Sequence, residues 1–194
     1  MADRYRKFAD LAANQRLGFN YGIRVLDRGT RIAILAPHGG MIEPHTSEIA
    51  EAIAQTDLSF YAFEALKDGR HGDFHITSHR FDEPSAIDLL SRSWTAIVIH
   101  GRQIDGTETV WLGGRAVALR DAIGASLCDA GFMTDVNEKL PGVNPANVCN
   151  RTLSGEGVQL ELPRSLRERL VRDASSLLAF CEAVRNAFPA YPDT

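Results

Sequence analysis

Short apolar runs that alternate with segments of helical periodicity constrain the fold of this chain more than any other feature. The clearest runs are RIAILA at residues 31–36, WTAIVI at 94–99 and VQLEL at 158–162. Runs of this length and composition are typical of strands buried on both faces. Strands separated by helices need crossover connections, which favour parallel pairing. The pattern therefore predicts an α/β domain, with a largely parallel mixed sheet and helices on both of its faces.

Weaker signals complete this prediction. Thr46 is a reasonable N-cap for a helix, Pro84 suits the first turn of another, and Gly131 suits the C-terminal end of a third. Pro163 opens a helical C-terminal quarter. The further segments predicted as strands are residues 59–66, 74–77, 109–112 and 132–136.

Length and composition favour one globular domain spanning residues 1–194. Hydrophobic residues make up 44% of the chain and charged residues 24%, and no internal repeat or low-complexity tract divides it. A chain of this size can bury a core without structural metal, so any metal site would be catalytic. The formal net charge of −4 argues against a protein that coats nucleic acid.

The cysteines and the first residues bear on the compartment. Cys128, Cys149 and Cys181 are odd in number and far apart, which favours a reducing environment. The segment MADRYRKFADLAANQ lacks the apolar core of a signal peptide, and no stretch approaches the roughly 18 apolar residues of a membrane helix. We expect a soluble, cytoplasmic protein with no membrane partner.

Two histidines and a glutamate lie near the ends of predicted strands. His38 follows the first strand by two residues, Glu43 comes five residues later, and His100 ends WTAIVI. Ligands of such sheets gather at the carboxyl ends of the strands. Two imidazoles and a carboxylate match the protein ligands of catalytic zinc, which leaves one position for water. The alternative is that both histidines cap strands and bond to the backbone.

Glu161 interrupts the apolar strand VQLEL, where a carboxylate is costly unless it is paired or used. A carboxylate close to an activated water could act as its general base. The alternative places Glu161 on the outward face of an edge strand, together with Gln159.

Arg151 follows Asn150 in the loop NPANVCNR, and a guanidinium is well suited to hold a carboxylate at two points. Simple surface solvation is the alternative for this arginine. His75 is interpreted either as a partner of the site histidines or as a core residue. The chain has no P-loop, no G-x-G-x-x-G and no G-x-S-x-G, which argues against nucleotide binding by those loops and against serine hydrolysis.

Five segments in order resemble the poly-γ-glutamate hydrolase family of bacteria and their phages. These segments are PHGGMIEPHTSEIA, HITSHRFDEP, IVIHG, NVCNR and GVQLEL, and the resemblance runs from about residue 21 to about residue 172. That family is similar in fold to the zinc carboxypeptidases. The resemblance implies zinc-dependent hydrolysis of γ-glutamyl amide bonds in poly-γ-glutamate, a polyanionic capsule or biofilm polymer.

The resemblance also implies roles for particular residues. It assigns Zn²⁺ to His38, Glu43 and His100. It makes Glu161 the general base, and it makes Asn150 and Arg151 the pair that holds a substrate carboxylate.

The chain departs from the related patterns in two places. Four residues separate His38 from Glu43, against two in carboxypeptidases, which indicates a distinct loop. His45 stands where we expect glycine in the family. Two other functions remain open: a zinc amidohydrolase acting on a small N-acyl amino acid or cell-wall peptide, and a non-catalytic phage accessory module that only binds.

Overall fold

A mixed β-sheet forms the centre of the fold. The computed structural model describes residues 3–67, 71–103 and 106–188. In this part of the chain the strands are β1 (Tyr21–Leu26), β2 (Ile32–Gly40), β3 (Ser59–Ala65), β4 (Thr95–Arg102), β5 (Val110–Gly114), β6 (Thr134–Val136) and β7 (Val158–Pro163). The helices are α1 (Phe8–Asn14), α2 (Thr46–Ala54), α3 (Pro84–Arg92), α4 (Val117–Asp129), α5 (Arg164–Arg172) and α6 (Ala174–Asn186).

The strand order is β1-β3-β2-β4-β7-β5-β6. The central strands β3, β2, β4 and β7 run parallel to one another. Strand β1 is antiparallel to β3, and β5 is antiparallel to β7, whereas β6 runs parallel to β5. The predicted α/β architecture with a largely parallel mixed sheet is confirmed.

Helices cover both faces of the sheet, as predicted. Residues of α2, α4, α5 and α6 pack on one face, in a core that includes Ile34 and Ala36 of β2. Residues of α1 and α3 pack on the opposite face, in a second core that includes Ala33 and Leu35. The alternation along β2 follows from the two-residue period of a strand.

Strand β2 is longer than predicted and contains a β-bulge. We expected it to stop before Pro37, yet it continues to Gly40. From Ala36 to Gly39, three steps of β2 match two steps of β3. A bulge accommodates Pro37, because a bulge leaves one extra residue outside the hydrogen-bond ladder and proline has no N–H to donate to it.

The bulge changes the face on which His38 lies. Strict alternation would put its side chain on the same face as Ile34 and Ala36. The extra residue reverses this alternation. The ring of His38 instead lies 6.1 Å from that of Phe81, a residue of the second core.

Two local predictions differ from the structure. Residues 74–77 form no strand; Thr77 donates its backbone N–H to the Asp3 carboxylate at 2.8 Å, a side-chain partner in place of a neighbouring strand. Helix α1 and strand β1 were not predicted, because α1 is only 7 residues long and Gly22 and Arg24 interrupt the apolar residues of β1. No helix in the described ranges has the length and apolar character needed to cross a membrane.

Candidate active site and metal centre

The carboxyl ends of β2, β4 and β7 open into a cleft of about 1000 Å³. His38, His100 and Glu161 line this cleft, together with Glu43. His100 and Glu161 are direct neighbours across the β4–β7 ladder. The sheet thus brings together the four residues that we predicted as metal ligands and general base, at the edge where parallel strands collect ligands.

Glu43 reaches this edge through a tight turn between β2 and α2. Its backbone N–H donates to the carbonyl of His38 at 2.9 Å, and the Thr46 hydroxyl donates to the Glu43 carbonyl at 2.8 Å. Its side chain crosses to β4, where Oε2 accepts the Gly101 N–H at 2.7 Å. These contacts fix the Glu43 carboxylate beside both histidines.

Donor atoms of three side chains converge in the cleft. Nδ1 of His38 lies 3.2 Å from Oε1 of Glu43 and 3.2 Å from Nδ1 of His100, and the latter lies 3.7 Å from Oε2 of Glu43. Tetrahedral ligands with bonds of about 2.0–2.1 Å lie about 3.3 Å from one another. The spacing and the donor types both fit a bound zinc ion.

The outer nitrogens of both rings are engaged by other groups. Nε2 of His38 lies 2.9 Å from the carbonyl of Ile76, and Nε2 of His100 lies 3.3 Å from the Ser78 hydroxyl. A carbonyl only accepts, so Nε2 of His38 carries the hydrogen and its Nδ1 keeps a lone pair when the ring is neutral. Outer partners of this kind commonly orient metal-binding histidines.

The charges around His100 favour a cation. Burial alone would lower its pKa, but the nearby carboxylates of Glu161 and Glu43 more than compensate, and the pKa of His100 is raised. An environment that stabilises a positive imidazolium also stabilises a bound metal ion.

His75 offers a fourth donor in the same place. Its ring lies 4.1 Å from that of His38, and its Nδ1 lies 2.6 Å from Oδ1 of Asp3. Donor atoms of His38, Glu43 and His75 also form a candidate metal-binding group, in which all three lie within 4.8 Å of one another. Burial would raise the pKa of Asp3, but hydrogen bonds from Thr77 and His75 lower it below the ordinary value. Asp3 could not be predicted from the sequence, because nothing near it in the chain points to His75.

Glu161 does not lie on an edge strand, so the outward-facing alternative is wrong. Strand β7 lies between β4 and β5, and Glu161 is 9% exposed. Burial raises its pKa above the ordinary value; Glu43 adds to the rise, and His100 opposes it. Gln159 shares its face, as expected, and donates to Oε1 of Glu161 at 3.3 Å. A raised pKa makes this carboxylate a better acceptor for a proton near neutral pH.

Asn150 and Arg151 do not lie among the described residues that line the cleft. The amide of Asn150 donates to the carbonyls of Gly142 and Asn144, at 2.7 and 2.9 Å. Arg151 donates to the carbonyls of Ala146 and Phe81, at 3.0 and 3.1 Å. In the structure both side chains hold loops together.

Other basic residues line the cleft instead; they are Arg102, Lys139, Arg164 and Arg167. Arg167 is buried and donates to the carbonyls of Pro44, Leu162 and Arg102. Its guanidinium therefore links α5 to the ends of β4 and β7 and to the turn that carries Glu43. Arg167 was not predicted from the sequence, because a buried arginine on an amphipathic helix cannot be told from a solvated one by its position.

Comparison with known proteins gives the family. The family model described as poly-gamma-glutamate hydrolase matches residues 5–181, which include all of the residues above except Asp3. The chain belongs to the poly-γ-glutamate hydrolase family. Its expected fold is also found in a solved bacteriophage poly-gamma-glutamate hydrolase, with a TM-score of 0.91 and 30% sequence identity over 96% of each chain.

Relatives from Bacillus subtilis (strain 168) extend this comparison. The SPbeta prophage-derived protein YoqZ is 37% identical over 172 residues, and YndL is 32% identical over 171 residues. These matches cover 87% of this chain but only 62% of YoqZ and 67% of YndL, so the chain spans about two thirds of each relative. A solved structure described as YndL in its apo, zinc-free form matches with a TM-score of 0.89 and 27% identity, over 98% of this chain and 100% of that one.

In this member of the poly-γ-glutamate hydrolase family, His45 departs from the expected glycine at a position that favours glycine. Its φ is 76°, in the left-handed region, directly before α2. Glycine adopts this conformation at little cost, whereas a side chain is strained there. The turn before α2 therefore requires a left-handed residue at position 45, whatever its side chain. His45 is not among the described residues that line the cleft.

Proposed function

We propose that this chain is a zinc-dependent hydrolase that cleaves the γ-glutamyl amide bonds of poly-γ-glutamate. The observation that carries the proposal is the convergence of His38, Glu43 and His100, whose donor atoms pair at 3.2–3.7 Å, on the same sheet edge as buried Glu161. Membership of the poly-γ-glutamate hydrolase family supports the substrate, as does the likeness to the bacteriophage enzyme.

His38, Glu43 and His100 would hold the zinc ion, with His75 beside them. The relative YndL has a solved structure described as zinc-free, which supports zinc as the metal of this fold. When bound, zinc supplies a Lewis acid that polarises an amide carbonyl and lowers the pKa of a water molecule from 15.7 towards about 7.

Glu161 performs the proton transfers in this proposal. Its carboxylate takes a proton from the water that adds to the amide carbon, and then delivers that proton to the departing amine nitrogen. The C–N bond breaks, and the products are a carboxylic acid and an amine. Burial raises the pKa of Glu161, which favours its taking and returning a proton within one cycle.

Basic residues of the cleft would recognise the polymer. Arg102, Lys139 and Arg164 line the cleft and face the same space as Glu161. Each repeat of poly-γ-glutamate carries one free carboxylate, so a cleft with several cations can hold neighbouring repeats. An acidic protein can bind a polyanion when its cations are gathered in one place.

The test is degradation of poly-γ-glutamate followed on a gel, with a chelator added and zinc then returned. We expect cleavage to stop with chelator and to resume with zinc. Tightly bound zinc without cleavage would contradict the substrate and favour the amidohydrolase of small N-acyl amino acids or cell-wall peptides. Neither zinc binding nor cleavage would favour the non-catalytic binding module.

A further inference from the structure

A second depression, of about 430 Å³, lies outside the cleft. Its lining consists of Arg6, Lys7, Arg80, Asp82 and Arg151. Four of these five side chains are cationic, in a chain whose formal net charge is −4. Such a concentration of positive charge creates a local potential opposite to that of the whole molecule.

The cations of this depression have few competing partners. Arginines elsewhere, such as exposed Arg92 and half-buried Arg185, pair with carboxylates at 2.9 and 2.6 Å. Within the described residues, no carboxylate forms an ion pair with Arg6, Lys7 or Arg80. These side chains therefore remain available to an external anion.

The acidic residue of the depression is already engaged. Asp82 accepts the backbone N–H of Phe8 at 2.6 Å, at the start of α1. This bond fixes the carboxylate against the backbone, on the side of the depression formed by the N-terminal segment. Asp82 thus offsets only part of the positive charge of its four neighbours.

Arg151 is the lining residue of this site whose side chain is held in place by the protein. Its Nε donates to the carbonyl of Ala146 and its Nη1 to the carbonyl of Phe81, so the guanidinium is held in one orientation and Nη2 makes neither of these bonds. A guanidinium held in this way binds a carboxylate with little further loss of side-chain entropy.

The same two loops line both the depression and the cleft. Ser78 and His79 line the cleft, and Arg80 lines the depression directly after them. Asn147 lines the cleft four residues before Arg151. A hydrogen bond of 3.0 Å from Val148 N–H to the Ser78 carbonyl joins the two loops. Because His79 of the cleft and Arg80 of the depression are consecutive residues, with Cα atoms about 3.8 Å apart, the two sites border each other.

We infer that this depression is a second binding site, which holds carboxylates of the poly-γ-glutamate chain beyond the cleft. The inference rests on the proposed function for the identity of the polymer. It commits to a polycarboxylate, because family membership points to poly-γ-glutamate as the polymer that occupies the adjoining cleft. The site would increase affinity for long chains and would not contact the bond that is cleaved.

The test compares long poly-γ-glutamate with a γ-glutamate oligomer too short to leave the cleft. The variant is Arg6→Gln/Arg80→Gln, which removes two exposed charges and keeps Arg151. We expect KM for the long polymer to rise about five- to tenfold, since each exposed ion contact contributes modestly, and KM for the oligomer to change less than twofold. The matched control is Arg172→Gln, an exposed arginine of α5 that lines neither the cleft nor the depression.

Binding is measured separately by fluorescence anisotropy of labelled polymer, with the Glu161→Gln chain as background. We expect the double variant to weaken long-polymer binding by a similar factor. Equal rises in KM for both substrates, or no change for either, would overturn the second site. Tighter competition by DNA than by poly-γ-glutamate would also overturn it. If the unmodified protein neither cleaves nor binds either substrate, the proposed function itself is wrong.

Discussion

At the scale of single residues, Glu161 and Gln159 show how two polar side chains on one strand face can differ in role. Both are buried and lie on the same face of β7, but only Glu161 can take a proton. Gln159 donates hydrogen bonds both to Glu161 and to the carbonyl of Leu140. It therefore orients the carboxylate and ties it to the wall of the cleft.

The role of Glu161 predicts the effect of Glu161→Gln. The amide has nearly the same size and cannot accept the proton, so we expect hydrolysis of poly-γ-glutamate to fall by about 10²–10⁴-fold. Zinc content, measured by elemental analysis, and the circular dichroism spectrum should stay as in the unmodified chain. The matched control is Glu156→Gln, an exposed glutamate in the loop before β7 that should retain full activity. A Glu161→Gln chain that hydrolyses at the normal rate would remove Glu161 from the mechanism.

Single residues could be predicted where they lie at or near the ends of apolar strands. His38, Glu43, His100 and Glu161 follow or interrupt apolar runs, and the structure brings them to one edge. Arg151 was predicted to bind substrate from its residue type and its place in a loop. The direction in which its side chain points depends on which carbonyls lie nearby. Those carbonyls belong to residues that the sequence alone does not place beside it.

At the scale of elements, the β-bulge in β2 is the feature on which the site depends. The apolar pattern predicted the strand but ended it before Pro37, whereas β2 continues to Gly40. The reversal of alternation after Ala36 could not be predicted, because it follows from pairing with β3. Without this reversal His38 would face the core of α2, on the wrong side from His100.

Gly101 of β4 lies directly against the side chain of Arg167 of α5. From this close packing we predict the effect of Gly101→Ala. A Cβ at this position would lie 2.6 Å from Cζ of Arg167, whose guanidinium is buried and holds three carbonyls. We expect a loss of about 1–3 kcal/mol in the free energy of unfolding, measured in urea, together with weaker zinc binding.

The control for this prediction is Gly22→Ala in β1. A Cβ there would meet the Leu66 side chain at 3.6 Å, which is ordinary van der Waals contact. Gly22→Ala should therefore change the unfolding free energy little and leave zinc affinity as it was. If both variants behave alike, the packing of Gly101 against Arg167 does not support the metal centre.

At the scale of the whole molecule, the candidate metal centre exists only in the folded chain. His38 and Glu43 lie at one end of β2 and its following turn, whereas His100 lies on β4, 62 residues from His38 in sequence. Folding places their donor atoms within 3.2–3.7 Å of one another. A metal ion that binds this group therefore binds the folded state in preference to the unfolded one.

This preference predicts that zinc raises the stability of the whole fold. At a free zinc concentration about 100 times the dissociation constant, the gain in unfolding free energy is about 2.7 kcal/mol. We expect the thermal midpoint to fall with chelator and to recover when zinc is returned. His38→Ala should abolish this response, while His79→Ala, which changes an exposed histidine of the same cleft, should keep it. The same midpoint with and without zinc would show that these donors hold no metal, whatever the activity of the protein, because a ligand specific to the folded state must stabilise that state.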